Sequence, residues 1–154
     1  MKFVTALSLG IAIGLTGCGS SPPSAKGDSK QGHGKTEHVH GKGPHGGEIF
    51  DLGKYHGELS FDNDKKEVTL YILGSDEKTL SPVTAKNLTI TTKVAKTKDG
   101  KDIPAMTIKM LPQDEANGKA SKFVGTDPGL ANDAEYEGTA SGELDGKPAA
   151  GDFK

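Results

Sequence analysis

The sequence predicts an all-β fold, an antiparallel β-sandwich of immunoglobulin-like or cupredoxin-like shape that follows a disordered N-terminal tether. Three observations predict it: short segments in which apolar and polar residues alternate, Gly- and Asp-containing turn signals between them, and no long segment with a helical period. Three Tyr, five Phe and no Trp can build one modest core, so we expect a single folded domain.

The first two predicted strands form a hairpin. Residues 48–52 and 55–61 both alternate with a period of two, and the Gly-Lys pair between them suits a tight connection. In the second of these strands, His56 and Glu58 share one face, and Leu59 lies on the opposite face.

Further strands are predicted in the middle of the chain. An Asp-Asn-Asp turn at residues 62–64 precedes Glu67–Leu73, where β-branched and aromatic residues are frequent. Residues 88–92 and 105–110 repeat the alternation, and Asp99-Gly100 between them is a hairpin signal.

The C-terminal third contains fewer apolar residues but still predicts strands at residues 121–125, 134–144 and 148–153. We expect Asp145-Gly146 to form the turn between the last two of these strands. In total we expect a sandwich of seven or eight strands. Short helices around residues 114–120 or 128–132 would not change this fold class.

The N-terminus resembles a bacterial lipoprotein signal. Met1-Lys2 is positively charged, residues 3–15 are apolar or small and too few to span a bilayer, and Leu15-Thr16-Gly17-Cys18 follows. This pattern predicts a signal peptide at residues 1–17 and lipidation of Cys18. We therefore expect a lipid anchor in a membrane, on the periplasmic face of the cell envelope, and Gly19 after the cysteine favours the outer membrane.

Residues 18–43 are predicted to be the lipidated cysteine and a flexible linker. Beyond Cys18 this segment consists mainly of Gly, Ser, Pro, Lys and His, so it has too little apolar surface to offset the entropy of ordering. The folded domain is then expected at residues 44–154.

Composition excludes several classes of function. All 19 basic residues are lysines and the net charge is −2, so no planar guanidinium is available to bind phosphate and no nucleic-acid partner is implied. The sequence has no Gly-x-Ser-x-Gly, no His-Glu-x-x-His and no glycine-rich phosphate loop. We expect a binding protein and not an enzyme.

The distribution of histidine points to metal, because imidazole is a good ligand for borderline transition metals. His38 and His40 would project to the same side of an extended backbone, and His45 lies in a stiff turn between Pro44 and two glycines. All five histidines lie within a short part of the chain, and Glu58 follows them closely. The predicted metal ligands are His33, His38, His40, His45, His56 and Glu58.

His45, His56 and Glu58 together would offer two nitrogens and one oxygen across the first hairpin, a set acceptable to Zn²⁺, Cu²⁺ or Ni²⁺. Because ligating imidazoles must be neutral, metal affinity should fall as the pH drops through about 6.5. The competing interpretation is that these side chains are solvated polar residues. Met106 and Met110 suggest a thioether site for Cu(I), but core packing is the stronger expectation for them.

One segment resembles a known family, and it reads Gly43-Pro44-His45-Gly46-Gly47, followed by Ile49, Leu52-Gly53 and His56-x-Glu58. The family consists of small His-rich bacterial envelope lipoproteins of planctomycete type. The same Pro-His-Gly-Gly motif is similar to one near the N-termini of some periplasmic adaptor subunits of heavy-metal efflux pumps. The resemblance covers about residues 33–154 and implies an all-β periplasmic domain associated with divalent metal, with His45 and His56 at the matching positions.

These observations predict a lipid-anchored periplasmic protein that binds divalent Zn, Cu or Ni. It would act as a buffer, a scavenger or a donor to a metal efflux or uptake system. The alternative is a non-catalytic envelope module that docks to another protein and has an incidental His-rich linker.

Overall fold

The fold is that of a computed structural model, which describes residues 40–154. It confirms the predicted all-β class, since the described residues contain strands and a single short 3₁₀ helix, Pro128–Ala131. In chain order the strands are β1 (Glu48–Leu52), β2 (Tyr55–Asp62), β3 (Glu67–Leu73), β4 (Ala85–Thr92), β5 (Ala95–Lys96), β6 (Asp102–Ile103), β7 (Thr107–Lys109), β8 (Leu111–Gln113), β9 (Lys122–Thr126), β10 (Gly138–Leu144) and β11 (Lys147–Phe153).

Two main sheets form the sandwich. The first has the order β1-β2-β3-β9-β8 and the second has the order β11-β10-β4-β7, while β5 and β6 pair separately. Neighbouring strands are antiparallel in each sheet. The edge strands β1 and β11 contact each other, so the two sheets meet along this side.

Two predicted hairpin turns are confirmed. The turn between β1 and β2 contains Gly53 with a φ of 65°, and the turn between β10 and β11 contains Asp145 and Gly146 with φ of 48° and 76°. Glycine adopts this left-handed region without penalty, and Asp tolerates it better than most residues do. Strand β3 has the bounds that its alternation predicts.

Residues 105–113 differ from the expectation. Strand β7 covers only three residues, and the chain then passes from the second sheet to the first to form β8, which sequence reasoning missed. Pro112 lacks an amide donor and therefore argues against a central strand, but β8 is an edge strand that pairs with β9 alone.

The helix predicted around residues 114–120 is wrong, whereas the one predicted around 128–132 is confirmed as the 3₁₀ helix. Ala116 and Lys119 exchange two backbone hydrogen bonds of 2.9 and 3.0 Å across Asn117-Gly118. Both central residues have positive φ, 54° and 74°, which is the turn that Asn-Gly favours over a helix.

The hydrophobic core lies between the two sheets. Its largest buried side chains include Phe123, Phe153, Leu70, Ile72, Ile90 and Leu144. Met106 and Met110 belong to the same core, which confirms the packing role expected for them.

The outer face of the first sheet is the one that concerns function. Because successive side chains of a strand point to opposite faces, Phe50 and Leu59 lie in the core. Asp51, His56 and Glu58 lie on the opposite face. These three outward residues belong to neighbouring strands, because β1 pairs with β2 in a register that sets Asp51 opposite His56.

Residues 40–47, which we call the strap, lie against this outer face. The backbone turns at Gly43, whose N–H donates to the Gly47 carbonyl at 2.9 Å, and Lys42 forms a bridge with Glu48. A Cβ on Gly43 would clash with the Glu58 side chain, so the strap contacts the sheet too closely for a side chain there. Residues 40–43 thus contact the domain, although the linker was expected to extend to Gly43.

The predicted signal peptide, Cys18, His33 and His38 lie outside the described residues. Within residues 40–154, no helix is long and apolar enough to cross a membrane.

Candidate functional site

His56 is positioned by strand β2 and by a hydrogen bond from its ring. Its Nδ1–H donates to the Gly74 carbonyl at 3.0 Å. A carbonyl oxygen can only accept, so this bond places the proton of the neutral ring on Nδ1 and leaves the lone pair on Nε2. The Nε2 atom lies 3.4 Å from Asp51 Oδ1 and 3.6 Å from Glu77 Oε1.

Glu77 is supplied by the turn between β3 and β4. Asp76 organises this turn, because its carboxylate accepts from the amides of Lys78 and Thr79 at 3.1 and 3.0 Å and from the Thr79 hydroxyl at 2.6 Å. The Gly74 amide donates to the Thr79 carbonyl at 2.9 Å and closes the loop. The same loop therefore provides the Glu77 carboxylate and the carbonyl that orients His56.

The hydrogen bonds to Asp76 also stabilise its charged form. The Thr79 hydroxyl contributes most, followed by the amides of Thr79 and Lys78, and together they lower the pKa of Asp76 from 3.8 to about 2. The carboxylate that holds this loop therefore stays ionised throughout the pH range in which imidazole titrates.

Glu77 itself has a left-handed backbone, with a φ of 57°. This conformation costs about 1–2 kcal/mol for an L-residue with a Cβ. Strained backbone of this kind is often found at functional sites. Here it brings the Glu77 carboxylate to the two imidazoles.

His40 enters the cluster from the strap. Its Nδ1 lies 3.2 Å from Glu77 Oε1, and its Nε2 lies 3.7 Å from Asp51 Oδ1. The His40 and His56 rings meet edge to face, with their centroids 5.4 Å apart. Residues far apart in sequence thus converge at one place on the outer face.

The cluster can offer one ligand atom each from His40, His56 and Glu77, and these atoms all lie within 4.8 Å of one another. The imidazoles are largely covered, with side-chain exposures of 11% and 16%, whereas the carboxylates of Asp51 and Glu77 are 49% and 37% exposed. When the imidazoles are neutral, the two carboxylates give the cluster a formal charge of −2. A divalent cation would neutralise it.

His45 and Glu58 form a separate cluster. The buried Glu58 carboxylate, 1% exposed, accepts from the His45 amide at 2.7 Å and the Gly47 amide at 3.0 Å through Oε1, and from His45 Nδ1 at 2.7 Å through Oε2. Both oxygens are thereby engaged by the strap. We call this arrangement the clamp, since it holds the Gly47 end of the strap on the sheet.

An aromatic contact supports the clamp. The His45 ring stacks on Tyr71 with centroids 3.8 Å apart and planes 9° apart, and the Lys122 ammonium lies 5.8 Å from the centroid of the Tyr71 ring. The ring of His45 is therefore fixed on one face by Tyr71 and at Nδ1 by Glu58.

The predicted ligands are thus divided between two clusters. The structure brings His40 and His56 together, but it pairs His45 with Glu58, so the set of His45, His56 and Glu58 does not form as one site. The physical reason is that three donors from the strap occupy the Glu58 carboxylate. The positions of His33 and His38 lie outside the described residues.

Sequence reasoning missed Asp51 and Glu77. Asp51 had a signal, because a two-residue connection after Leu52 sets Asp51 opposite His56 in the hairpin. Glu77 had none, since its approach to His56 depends on the fold of a turn in another part of the chain. No family model, curated protein or solved structure matches this chain.

Proposed function

We propose that this protein binds a divalent transition metal through His40, His56 and Glu77. The observation that carries the proposal is that one ligand atom each of His40, His56 and Glu77 lies within 4.8 Å of the other two. Two imidazoles and a carboxylate are a ligand set that Zn²⁺, Cu²⁺ and Ni²⁺ accept.

The spacing of these atoms supports the proposal. Ligand atoms about 2.0–2.2 Å from a tetrahedral ion lie about 3.3–3.6 Å from one another. Glu77 Oε1 is 3.2 Å from His40 Nδ1 and 3.6 Å from His56 Nε2. Small adjustments of the side chains would therefore be enough to place one ion among them.

The group behind the His56 imidazole supports it further. In metal sites the second ring nitrogen of a ligating histidine usually donates to a carbonyl or carboxylate, which fixes the tautomer. His56 has the Gly74 carbonyl in this position, so its Nε2 lone pair faces the cluster.

Three protein ligands leave a coordination position for water or for a ligand from another molecule. This arrangement, on a partly exposed surface, suits an ion that is taken up and passed on. We propose a buffer, scavenger or donor that works with a metal efflux or uptake system, held at the envelope by the predicted lipid anchor at Cys18.

The test is calorimetric titration of Zn²⁺, Cu²⁺ and Ni²⁺ into the tag-free full chain. The background variant carries His33→Ala and His38→Ala, so that histidines outside the described residues do not contribute. We expect one bound ion, and affinity at least about 100-fold weaker in His56→Ala and in Glu77→Gln, because removing a ligand costs more than removing a group behind it.

Glu115→Gln is the matched control for Glu77→Gln, since Glu115 is an exposed acid outside the cluster. The metal affinity of the Glu115→Gln variant should equal that of the background variant. Tight binding by the wild type that disappears in the background variant would place the ligands in the linker and contradict the proposal. Absence of binding in every variant would leave the alternative of an interaction module with an incidental His-rich linker.

A further inference from the structure

The two ends of the strap are attached to the sheet by contacts of very different character, and the Lys42–Glu48 bridge lies between them. At its Gly47 end, the buried Glu58 carboxylate accepts three hydrogen bonds from His45 and Gly47. At its other end, His40 faces the partly exposed carboxylates of Glu77 and Asp51. Only the second attachment uses residues of the proposed metal site.

The two attachments act on adjacent outward positions of the same strand. His40 meets His56, whereas His45 meets Glu58, which lies two residues further along β2. The turn in which the Gly43 and Gly46 amides donate to the Gly47 and Gly43 carbonyls, both at 2.9 Å, lies next to the clamp. The clamp and this turn require no metal, so they hold residues 43–47 whether or not an ion is bound.

The His40 attachment depends more strongly on the ion. Polar contacts to carboxylates that water can reach add little to stability. In addition, Asp51 and Glu77 place two negative charges beside the imidazoles, and a divalent cation would neutralise them. Coordination by His40 would therefore strengthen the attachment of this end of the strap.

We propose that metal binding closes a latch: the ion joins His40 of the strap to His56 and Glu77 of the domain, and its loss releases His40 and Gly41, while the clamp and the Lys42–Glu48 bridge keep residues 42–47 in place. This inference rests on the proposed function and assigns a regulatory role to the same site. Metal occupancy would thereby determine whether His40 stays on the sheet.

Backbone ¹⁵N relaxation, measured by NMR, tests the latch in the tag-free full chain carrying His33→Ala and His38→Ala. The samples are the metal-free protein in EDTA and the protein with one equivalent of Zn²⁺. We expect Zn²⁺ to raise the order parameter of the Gly41 amide from below about 0.6 to about 0.85 and to leave that of the Gly47 amide, which donates to Glu58, almost unchanged.

Two variants make the test specific. His40→Ala should lose the zinc-dependent ordering of Gly41, although His56 and Glu77 remain. Glu58→Gln should lower the order parameter of the Gly47 amide with and without Zn²⁺, because it weakens the clamp and not the metal site. Mg²⁺, which prefers oxygen ligands, should not order Gly41.

The outcomes separate the latch from the metal site. Calorimetric binding of Zn²⁺ with an unchanged order parameter at Gly41 would overturn the latch and leave the proposed function standing. Equal ordering of Gly41 by Zn²⁺ in His40→Ala would also overturn it. No binding of Zn²⁺ at all would overturn the proposed function, and the latch with it.

Discussion

At the scale of single residues, Glu58 shows how a shared strand face can mislead. His56 and Glu58 do lie on the same face of β2, as their spacing predicts, but the Glu58 carboxylate is hydrogen-bonded to the strap. A carboxylate that is 1% exposed needs hydrogen-bond donors, and the amides of His45 and Gly47 supply them. Glu58 therefore stabilises the fold at the place where sequence reasoning assigns it to metal.

Replacing the buried carboxylate tests this structural role. Glu58→Gln keeps the size of the side chain but turns an amide group toward one of its donors, so we expect a loss of about 1–3 kcal/mol in the free energy of unfolding. Urea denaturation of the metal-free protein measures it. Glu115→Gln, at an exposed position, should change stability by less than about 0.5 kcal/mol; equal effects of the two substitutions would contradict the clamp.

Glu77 allows stability and binding to be separated, because its φ is 57°. Glu77→Gly relieves about 1–2 kcal/mol of backbone strain, offset by about 0.5–1 kcal/mol for the extra freedom of glycine in the unfolded chain. We expect the metal-free variant to be as stable as the wild type, or more stable by up to about 1 kcal/mol, and to lose zinc affinity. Urea denaturation and calorimetry give the two values, and a clear loss of stability would show that Glu77 has a structural role.

At the scale of elements, the turn after β3 positions Glu77 and the Gly74 carbonyl without Asp76 touching any proposed ligand atom. Asp76→Ala should therefore weaken zinc binding by about 10–100-fold with all ligands present. Asp64→Ala, in the turn between β2 and β3, is the control and should leave the affinity unchanged. Unaltered affinity in Asp76→Ala would show that the turn keeps its shape without this carboxylate.

The same turn has a defined pH dependence. The folded pKa of Asp76 is lowered from 3.8 to about 2, so its contribution to the loop is fully present above about pH 4 and is lost as the pH falls through about 2. Zinc affinity should instead decline wherever acidification protonates the ligating imidazoles, because a metal binds only the neutral ring. NMR should show the Thr79 amide shift titrating near pH 2, and a midpoint near 3.8 would contradict the hydrogen bonds to Asp76.

Local elements are more predictable than the site that they build. The turns at Gly53 and at Asp145-Gly146, and the bounds of β3, follow from neighbouring residues alone. The convergence of His40, His56 and Glu77 depends on where a strap and a distant turn pack on the sheet. Neither the periodicity nor the composition of the sequence contains that information.

At the scale of the whole molecule, the contact between the edge strands β1 and β11 leaves no space for added atoms. A Cβ on Gly151 would clash with the Asp51 carbonyl oxygen, and backbone cannot move aside as a flexible side chain can. We expect Gly151→Ala to destabilise the protein by about 3 kcal/mol or to prevent folding. Thermal unfolding measures this loss, and Ala150→Ser, at an exposed position on the same strand, should be nearly neutral.

This contact between β1 and β11 also has a consequence for synthesis. The domain joins a strand that begins at Glu48 to one that ends at Phe153, so its core is complete only when almost the entire folded region is available. Contacts between residues so distant in sequence form slowly. The domain should therefore stay unfolded during synthesis until β11 has left the ribosome.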